Sequence, residues 1–512
     1  MILQSALLLF VVLVVFWVSV ERPKQVFLLA IFLAPWSGLD IDVGVRLTGF
    51  RIVMGTLAVA CLLRLALRPD SRNRIPVSAL FAGVCIYAVI WSLVQIPFLP
   101  LKHVEGGELR TPAARAIIQV LMFGLDVSPI IVAPLVLRDV HDVWQAGKTY
   151  IVSCVVLAVL GWFQLASWYG TGWNPLPLGF VDSLFGKDAR LGVPMGLREG
   201  IAPYRGILVY RMNSLGGEPR DLAGAFSIAL ILLQVAMVNL SANRDRPHLF
   251  TWSFLFLSML LTLSTSGLVL WLLGTFAFGG LQWASRFGRS RKVSSMRSLS
   301  ISVRLVAFSI MISALLLSLA AIRLGGGWLE LAKDRTIGRD FTEDFDAAVI
   351  GFLKEQPRYV LTGVGLGNVH LYANDYLPGY ATYAVDTPFV AKSGYLRLLS
   401  EIGIVGLALF LAWVTAQIRL LVKVSQVNQE GSSSEEARQT ASALAQLATI
   451  ICLFYLARGN YVAPQTFLTL GLVVALSGHM LQSRREHLLS PVPTSGVSIL
   501  DDCVVPQQQG QY

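Results

Sequence analysis

Charge is scarce in this sequence. Of its 512 residues 14% are Asp, Glu, Lys or Arg, against roughly a quarter in ordinary globular chains. The five cysteines fall at no metal-ligand spacing: Cys61, Cys85, Cys154 and Cys452 lie inside apolar stretches, and Cys503 lies in a polar tail. No pair shares an extramembrane loop, so neither a disulfide framework nor a zinc site is expected. A chain this long and this poor in charge is not one soluble core, because single cores stop growing at about 250–300 residues and keep a charged surface. A soluble enzyme, a nucleic-acid module and a fibrous protein are excluded.

What the sequence has instead is hydrophobic residues, at 55%. They come in blocks of about 20, the length that crosses a hydrocarbon core of about 30 Å. Such blocks cover residues 2–20, 48–67, 76–98, 114–137, 150–169, 222–240, 249–263, 268–285, 305–322, 402–422, 441–457 and 462–481. The first lacks a basic start and a small-residue cleavage site, so it reads as a retained helix. A further run at 26–36 is too short to cross unaided. The fold class expected is an all-α integral membrane protein with 12–13 transmembrane helices and two large outer loops.

Basic residues orient it. Arg64, Arg68, Arg72 and Arg74 mark one short loop, and Arg286, Arg289, Arg291, Lys292, Arg297 and Arg304 another. By the positive-inside rule both face the cytoplasm, which also explains a net charge of +10 without a nucleic-acid partner. Parity then places the two long connections on the opposite, outer face. The organisation expected is N-terminal helices over 1–169, a first large periplasmic loop over 170–220 and central helices over 221–322. A second large loop follows over 323–394, then C-terminal helices over 395–482 and a disordered cytoplasmic tail over 483–512.

Within the spans Asp126 is the one acid well inside an apolar stretch. An intramembrane acid is a functional candidate because burying it is costly. Pro129 close behind it offers a structural reading, in which a polar side chain satisfies backbone groups freed at a kink. A lone acid without inverted repeats argues against an ion-coupled transporter.

Charge gathers in the long loops. The first holds Lys187, Arg190, Arg198, Arg205, Arg211 and Arg220 against Asp182, Asp188, Glu199 and Glu218. Arginine suits phosphate, since its planar fork donates two parallel hydrogen bonds and keeps its charge when partly desolvated. For any one of them an ordinary loop salt bridge is the bland reading; for the set, an anionic ligand is the better one. The second loop carries a helical stripe of Phe341, Phe345, Ala348, Val349 and Phe352, which suits a helix on the bilayer surface as well as a lid. It also carries Gly363-Val364-Gly365-Leu366-Gly367-Asn368-Val369-His370, a run that permits a tight turn with exposed backbone N–H groups. Tyr359, Tyr372, Tyr376, Tyr380 and Tyr383 crowd the same stretch, as an interfacial belt or as a surface for a sugar ring.

Three stretches are similar to the O-antigen ligase and polysaccharide polymerase family of bacterial membrane glycosyltransferases. They are Arg205…Arg211-Met212-Asn213-Ser214-Leu215-Gly216-Gly217-Glu218-Pro219-Arg220-Asp221-Leu222-Ala223-Gly224; Leu261-Thr262-Leu263-Ser264-Thr265-Ser266-Gly267; and Arg339…Pro357…Gly363 to Asn368 followed by Ser393-Gly394-Tyr395-Leu396-Arg397-Leu398-Leu399-Ser400-Glu401-Ile402-Gly403-Ile404-Val405-Gly406. Two departures stand out: Thr265 and Ser266 where the family often has arginine, and Lys392-Ser393-Gly394 where it often has His-Asn.

The resemblance implies an enzyme of the bacterial inner membrane that transfers a glycan from an undecaprenyl diphosphate carrier on the outer face. Polymerisation of repeat units is the first expectation, ligation to a lipid acceptor the alternative. A non-catalytic transporter and a subunit of an export complex are the readings from other classes. Substrate-binding residues expected are Arg205, Arg211, Arg220, Arg339, Lys392 and Arg397. The general base is expected to be Glu218, with His370 second. No cofactor or metal is expected; the partners are the lipid-linked glycan, the bilayer and chain-length or export proteins.

Overall fold

The computed structural model describes residues 2–38, 40–42, 46–67, 79–99, 111–171, 201–204, 207–217, 219–239, 245–284, 344–377, 391 and 393–426, with 440–441, 444–445, 447–449 and 466–477. Along the chain come α1 (Ile2–Glu21), α2 (Pro23–Leu33), a hairpin of β1 (Asp40–Asp42) and β2 (Arg46–Thr48), α3 (Gly49–Leu67), α4 (Ala79–Gln95), α5 (Pro112–Val136) and α6 (Val140–Thr171). A second hairpin, β3 (Ile201–Tyr204) and β4 (Ile207–Tyr210), leads to α7 (Pro219–Asn239), α8 (Asp245–Leu261) and α9 (Thr265–Ala284). Then follow α10 (Asp344–Glu355), α11 (Arg358–Thr362), α12 (Val369–Ala373), α13 (Gly394–Gln426) and α14 (Thr466–Ser477).

Among the described residues five helical stretches are long and apolar enough to cross a membrane: Gly49–Leu67, Leu80–Phe98, Ala116–Val136, Val140–Thr171 and Gly394–Val422. Large apolar side chains stand exposed along their outsides and along α1 and α8, with Phe10 at 64%, Phe98 at 69% and Phe250 at 75%. A surface of that kind suits lipid and not water. The described fold is therefore that of an all-α membrane protein, to which the two short antiparallel hairpins are small additions. The span expected at 305–322 lies outside the described residues, as does the tail.

α6 is the spine. Asp139 caps it by accepting the Asp142 N–H at 2.7 Å, and Asp142 in turn holds Lys24 in an ion pair at the start of α2. Beyond the end of α2, the Trp36 indole donates to Ser153 at 2.8 Å. At 11 residues α2 is only about 16 Å long, half the thickness of a hydrocarbon core. It survives inside the bundle because Val26, Phe27, Ala30 and Ile31 are buried between α1, α3 and α6.

α5 shows how a proline is accommodated. Pro129 has no N–H for the Leu125 carbonyl, and the Ser128 hydroxyl donates to that carbonyl instead, at 2.7 Å. Asp126 has a different partner: Arg51 of α3 grips it with two parallel bonds, Nε to Oδ1 and Nη2 to Oδ2, both 2.9 Å. Gly55, one turn below Arg51, leaves room for Leu125. Across the bundle the backbone of α14 packs at Gly471 on the Pro129 carbonyl, where no side chain fits. Close backbone approach at small residues is the usual glue where lipid removes the hydrophobic drive between helices.

The short connection between α5 and α6 puts the start of α5 and the end of α6 at one end of the bundle, and α4 rises to that same end. Leu366 donates its N–H to Ser92 near the end of α4 at 2.9 Å, and Gly367 lies on Gln119 near the start of α5. Gly38 donates to the Leu215 carbonyl at 3.1 Å, and Gly161, near the end of α6, lies on Met212. The described parts of both long connections therefore meet the same end. Arg64, in the last turn of α3, falls toward the other.

Candidate functional site

Each long connection sends a segment in among the helices, the first to the turn between α8 and α9, the second to the point where α13 is broken. The first segment is 210–217. α8 stops at Leu261, the chain turns back through Leu263 at φ +52°, and α9 runs antiparallel beside α8, with Trp271 against Trp252 and Phe256 at ring-centroid distances of 5.9 and 5.1 Å. The Met212 N–H donates to the exposed end of α8, the Leu261 carbonyl, at 3.1 Å. Side chains fasten the rest. Gln164, fully buried on α6, donates from Nε2 to the Tyr210 hydroxyl at 2.7 Å. That hydroxyl donates on to Asn213 Oδ1 at 3.1 Å, and the other end of the Gln164 amide accepts the Ser214 N–H at 2.9 Å. Trp168 stacks on Tyr210 with ring centroids 5.0 Å apart.

Arg211 and Arg220 flank this turn, half-buried, Arg220 in the first turn of α7 behind Pro219 at its start. Arg205 and Glu218 lie outside the described residues. The helix start favours an anion near Arg220, because the first N–H groups of a helix have no partner within it.

The second segment, 363–370, is wholly buried. It enters α13 where that helix breaks at Gly403, φ +66°. The break frees carbonyls, and the Val364 and Gly365 N–H groups take those of Ser400 and Glu401, both at 2.9 Å. Gly363 donates to Tyr359 at 2.8 Å and Asn368 to Gly365 at 3.4 Å. Here the sequence expectation is corrected for most of the run: the N–H groups of Gly363 to Leu366 and of Asn368 are taken by protein carbonyls and the Ser92 hydroxyl and so are not offered to a ligand. The glycines serve close approach, with positive φ at Gly363, Gly365 and Gly367.

The stripe on α10 is also settled. Ala348, Val349 and Phe352 are fully buried against the second loop's own helices, and Asp346 accepts the Ser393 N–H at the head of α13. That is a cap packed on the bundle, not a helix lying on lipid. Tyr359, Tyr372 and Tyr376 ring Phe352 at centroid distances of 5.4, 5.4 and 6.3 Å, Tyr359 buried in the core of the cap and the other two half-buried against it, with their ring planes tilted to one another and not laid out as one flat platform. Burial pushes the Tyr372 hydroxyl well above its usual range, and the Glu355 carboxylate that accepts from Tyr376 at 2.8 Å raises that one too. Tyr380, Tyr383 and Phe341 lie outside the described residues.

His370 sits in α12, fully buried. Arg397, on the first turn of α13, reaches Glu401 one turn on, Nε to Oε1 at 3.0 Å. Arg339 and Lys392 lie outside the described residues. Arg211 and Arg220 thus share one packed cluster with α6 to α9, while His370 and Arg397 belong to the cap on α4 and α13.

Compared with known proteins the chain matches no family model and no curated protein significantly. The site therefore stands on its own residues. Three were missed in the sequence: Gln164, the one amide in the span 150–169; Arg51, three residues inside the span 48–67; and Glu401, a buried carboxylate at the head of α13. Gln164 and Arg51 announced themselves as polar side chains within an apolar block, and Glu401 stands at the edge of one.

Chemically, half-buried guanidinium groups at a helix start suit an anion with several oxygens, and the partial burial strengthens each contact over its value in water. Asp126 is paired with Arg51 through both carboxylate oxygens.

Proposed function

We propose that this chain is a multi-pass membrane glycosyltransferase that polymerises undecaprenyl-diphosphate-linked repeat units on the outer face of the plasma membrane. The observation that carries the reading is the placement of Arg211 and Arg220 on a turn held by buried hydrogen bonds at the end of the bundle away from Arg64. Under the positive-inside rule that end is the outer one. A lipid-linked donor reaches such a site sideways from the bilayer, with its diphosphate at the level of the helix ends. The arginines then stabilise charge as it develops on the departing phosphate.

A general base must take the proton of the acceptor hydroxyl. Glu218, between the turn and Pro219, is the first candidate. The complete burial of His370 within the cap makes it the weaker of the two. The scarcity of intramembrane acids, with Asp126 the one well inside an apolar stretch, counts against the transporter reading.

The test is purified protein in nanodiscs with lipid-linked repeat units, read as a ladder of chain lengths. Arg211→Ala is expected to abolish the ladder while leaving insertion and monodispersity unchanged; a normal ladder would remove Arg211 from the site. Lipid extracts of a deletion strain separate the ligase alternative, since loss of a polymerase leaves single repeats and loss of a ligase leaves long chains on the carrier.

A further inference from the structure

Ser214 combines two features that ordinary packing does not account for. Its backbone sits at φ +50°, one of two described non-glycine residues in the left-handed region, a conformation glycine adopts freely and serine only under strain. Its hydroxyl is also buried, the residue being 3% exposed, and has no hydrogen-bond partner. A buried hydroxyl without a partner is costly, and native chains keep few of them.

The strain is held in place on purpose-built contacts. The Gln164 amide bridges the Tyr210 hydroxyl and the Ser214 N–H, Tyr210 holds Asn213, and Gly216 donates back to the Asn213 carbonyl at 3.0 Å. Ser37 donates to the Gly216 carbonyl from the far side. Strained residues persist where their surroundings over-determine them, and they concentrate at ligand clamps. The neighbours Arg211, Leu215, Gly217 and Arg220 are only half-buried, so the turn lies at the accessible end of the bundle.

We infer that the Ser214 hydroxyl is a binding group for a phosphate oxygen, donating to a diphosphate held between Arg211 and Arg220. The inference rests on the phosphate reading of those two arginines. A hydroxyl donates well to a charged oxygen and, held in a left-handed turn, is pre-organised to do so before the ligand arrives. Two sources share this chemistry, a lipid-linked diphosphate and free inorganic diphosphate.

The experiment measures thermal stabilisation and affinity of the full chain in nanodiscs with farnesyl diphosphate, inorganic diphosphate and farnesol. Wild type, Ser214→Ala and Ser214→Gly are compared. Expected is stabilisation of wild type by farnesyl diphosphate and not by farnesol, with affinity about ten-fold weaker in both variants, the loss of one hydrogen bond to a charged group. Without ligand both variants are expected to melt at the wild-type temperature or above it, Ser214→Gly highest because glycine fits the turn. A response to inorganic diphosphate as strong as to farnesyl diphosphate would assign the site to the free anion and keep the role of Ser214. Equal affinity in wild type and variants would overturn the inference and leave the arginine reading standing. Variants that melt lower without ligand yet keep the full ligand response would also overturn it, pointing to a buried water as the partner of the hydroxyl. Failure of wild type to respond to either diphosphate would bring down the arginine reading, and the inference with it.

Discussion

The two inserted segments solve one problem with different materials. Both lay backbone against an interrupted run of helix carbonyls, and both give N–H groups to carbonyls left open there: Met212 to Leu261 at the end of α8 in the first, Val364 and Gly365 to Ser400 and Glu401 at the break in α13 in the second. The second is built of glycine, so its backbone fits tightly and little of it faces outward. The first is fastened by Gln164, Tyr210 and Asn213, and the residues between them remain free to differ in chemistry. Glycine buys proximity; side-chain fastening leaves a turn that can carry arginine and serine. The second segment reads as the joint that seats the cap, the first as the turn on which the proposed ligand would be met.

That contrast predicts opposite outcomes of mutation. The largest effect is expected at the joint. A Cβ at Gly403 would run into the Leu361 backbone, and one at Gly363 into that of Glu401, with positive φ at both. Gly403→Ala and Gly363→Ala should each cost roughly 3 kcal/mol or more, seen as loss of monodisperse protein after extraction. A folded, fully stable Gly403→Ala protein would break the comparison.

Next comes Gln164→Leu, which takes away the acceptor of the Ser214 N–H and the donor to Tyr210. About 2 kcal/mol of destabilisation is expected, with the protein still folded and its response to farnesyl diphosphate lost. If this variant fell apart as completely as the glycine variants, the first segment would be a joint as well.

The smallest effect concerns the cap. The folded pKa of Tyr372 lies above the value near 10 that a tyrosine has in an unfolded chain. The neutral form is therefore the one the fold favours, so its contribution is fully present below pH 10 and is lost as the pH rises above it. Ultraviolet titration should show Tyr372 ionising later than free tyrosine, with a late component that Tyr372→Phe removes. Loss of the cap at pH 8 would contradict the packing of these rings.

Block length in the sequence was enough to recover the membrane spans described here, because about 20 apolar residues in a row have few other uses. It was not enough for α2, since a half-length helix is stable only through neighbours such as α6 that the local sequence does not reveal. α6 itself begins ten residues before the apolar block, because Asp139 and Asp142 make a polar first turn that hydropathy does not register. Arg211, Arg220 and Arg397 were legible as charge in the wrong place. The glycine run was legible as a turn, while its purpose was not: whether an N–H faces a ligand or a carbonyl depends on α13, which breaks at a single glycine. The Arg51–Asp126 pair was half visible, since an acid in lipid implies a partner, and only the packing of α3 on α5 says which.

The seat of Gly471 on Pro129 sets an order of events during synthesis. Pro129 enters the bilayer early and Gly471 late, so the groove on α5 stays open while most of the polypeptide is being threaded into lipid. Closure of that contact thus waits on one of the last segments to be inserted, and a nascent chain halted before it would leave this flank of α5 facing lipid.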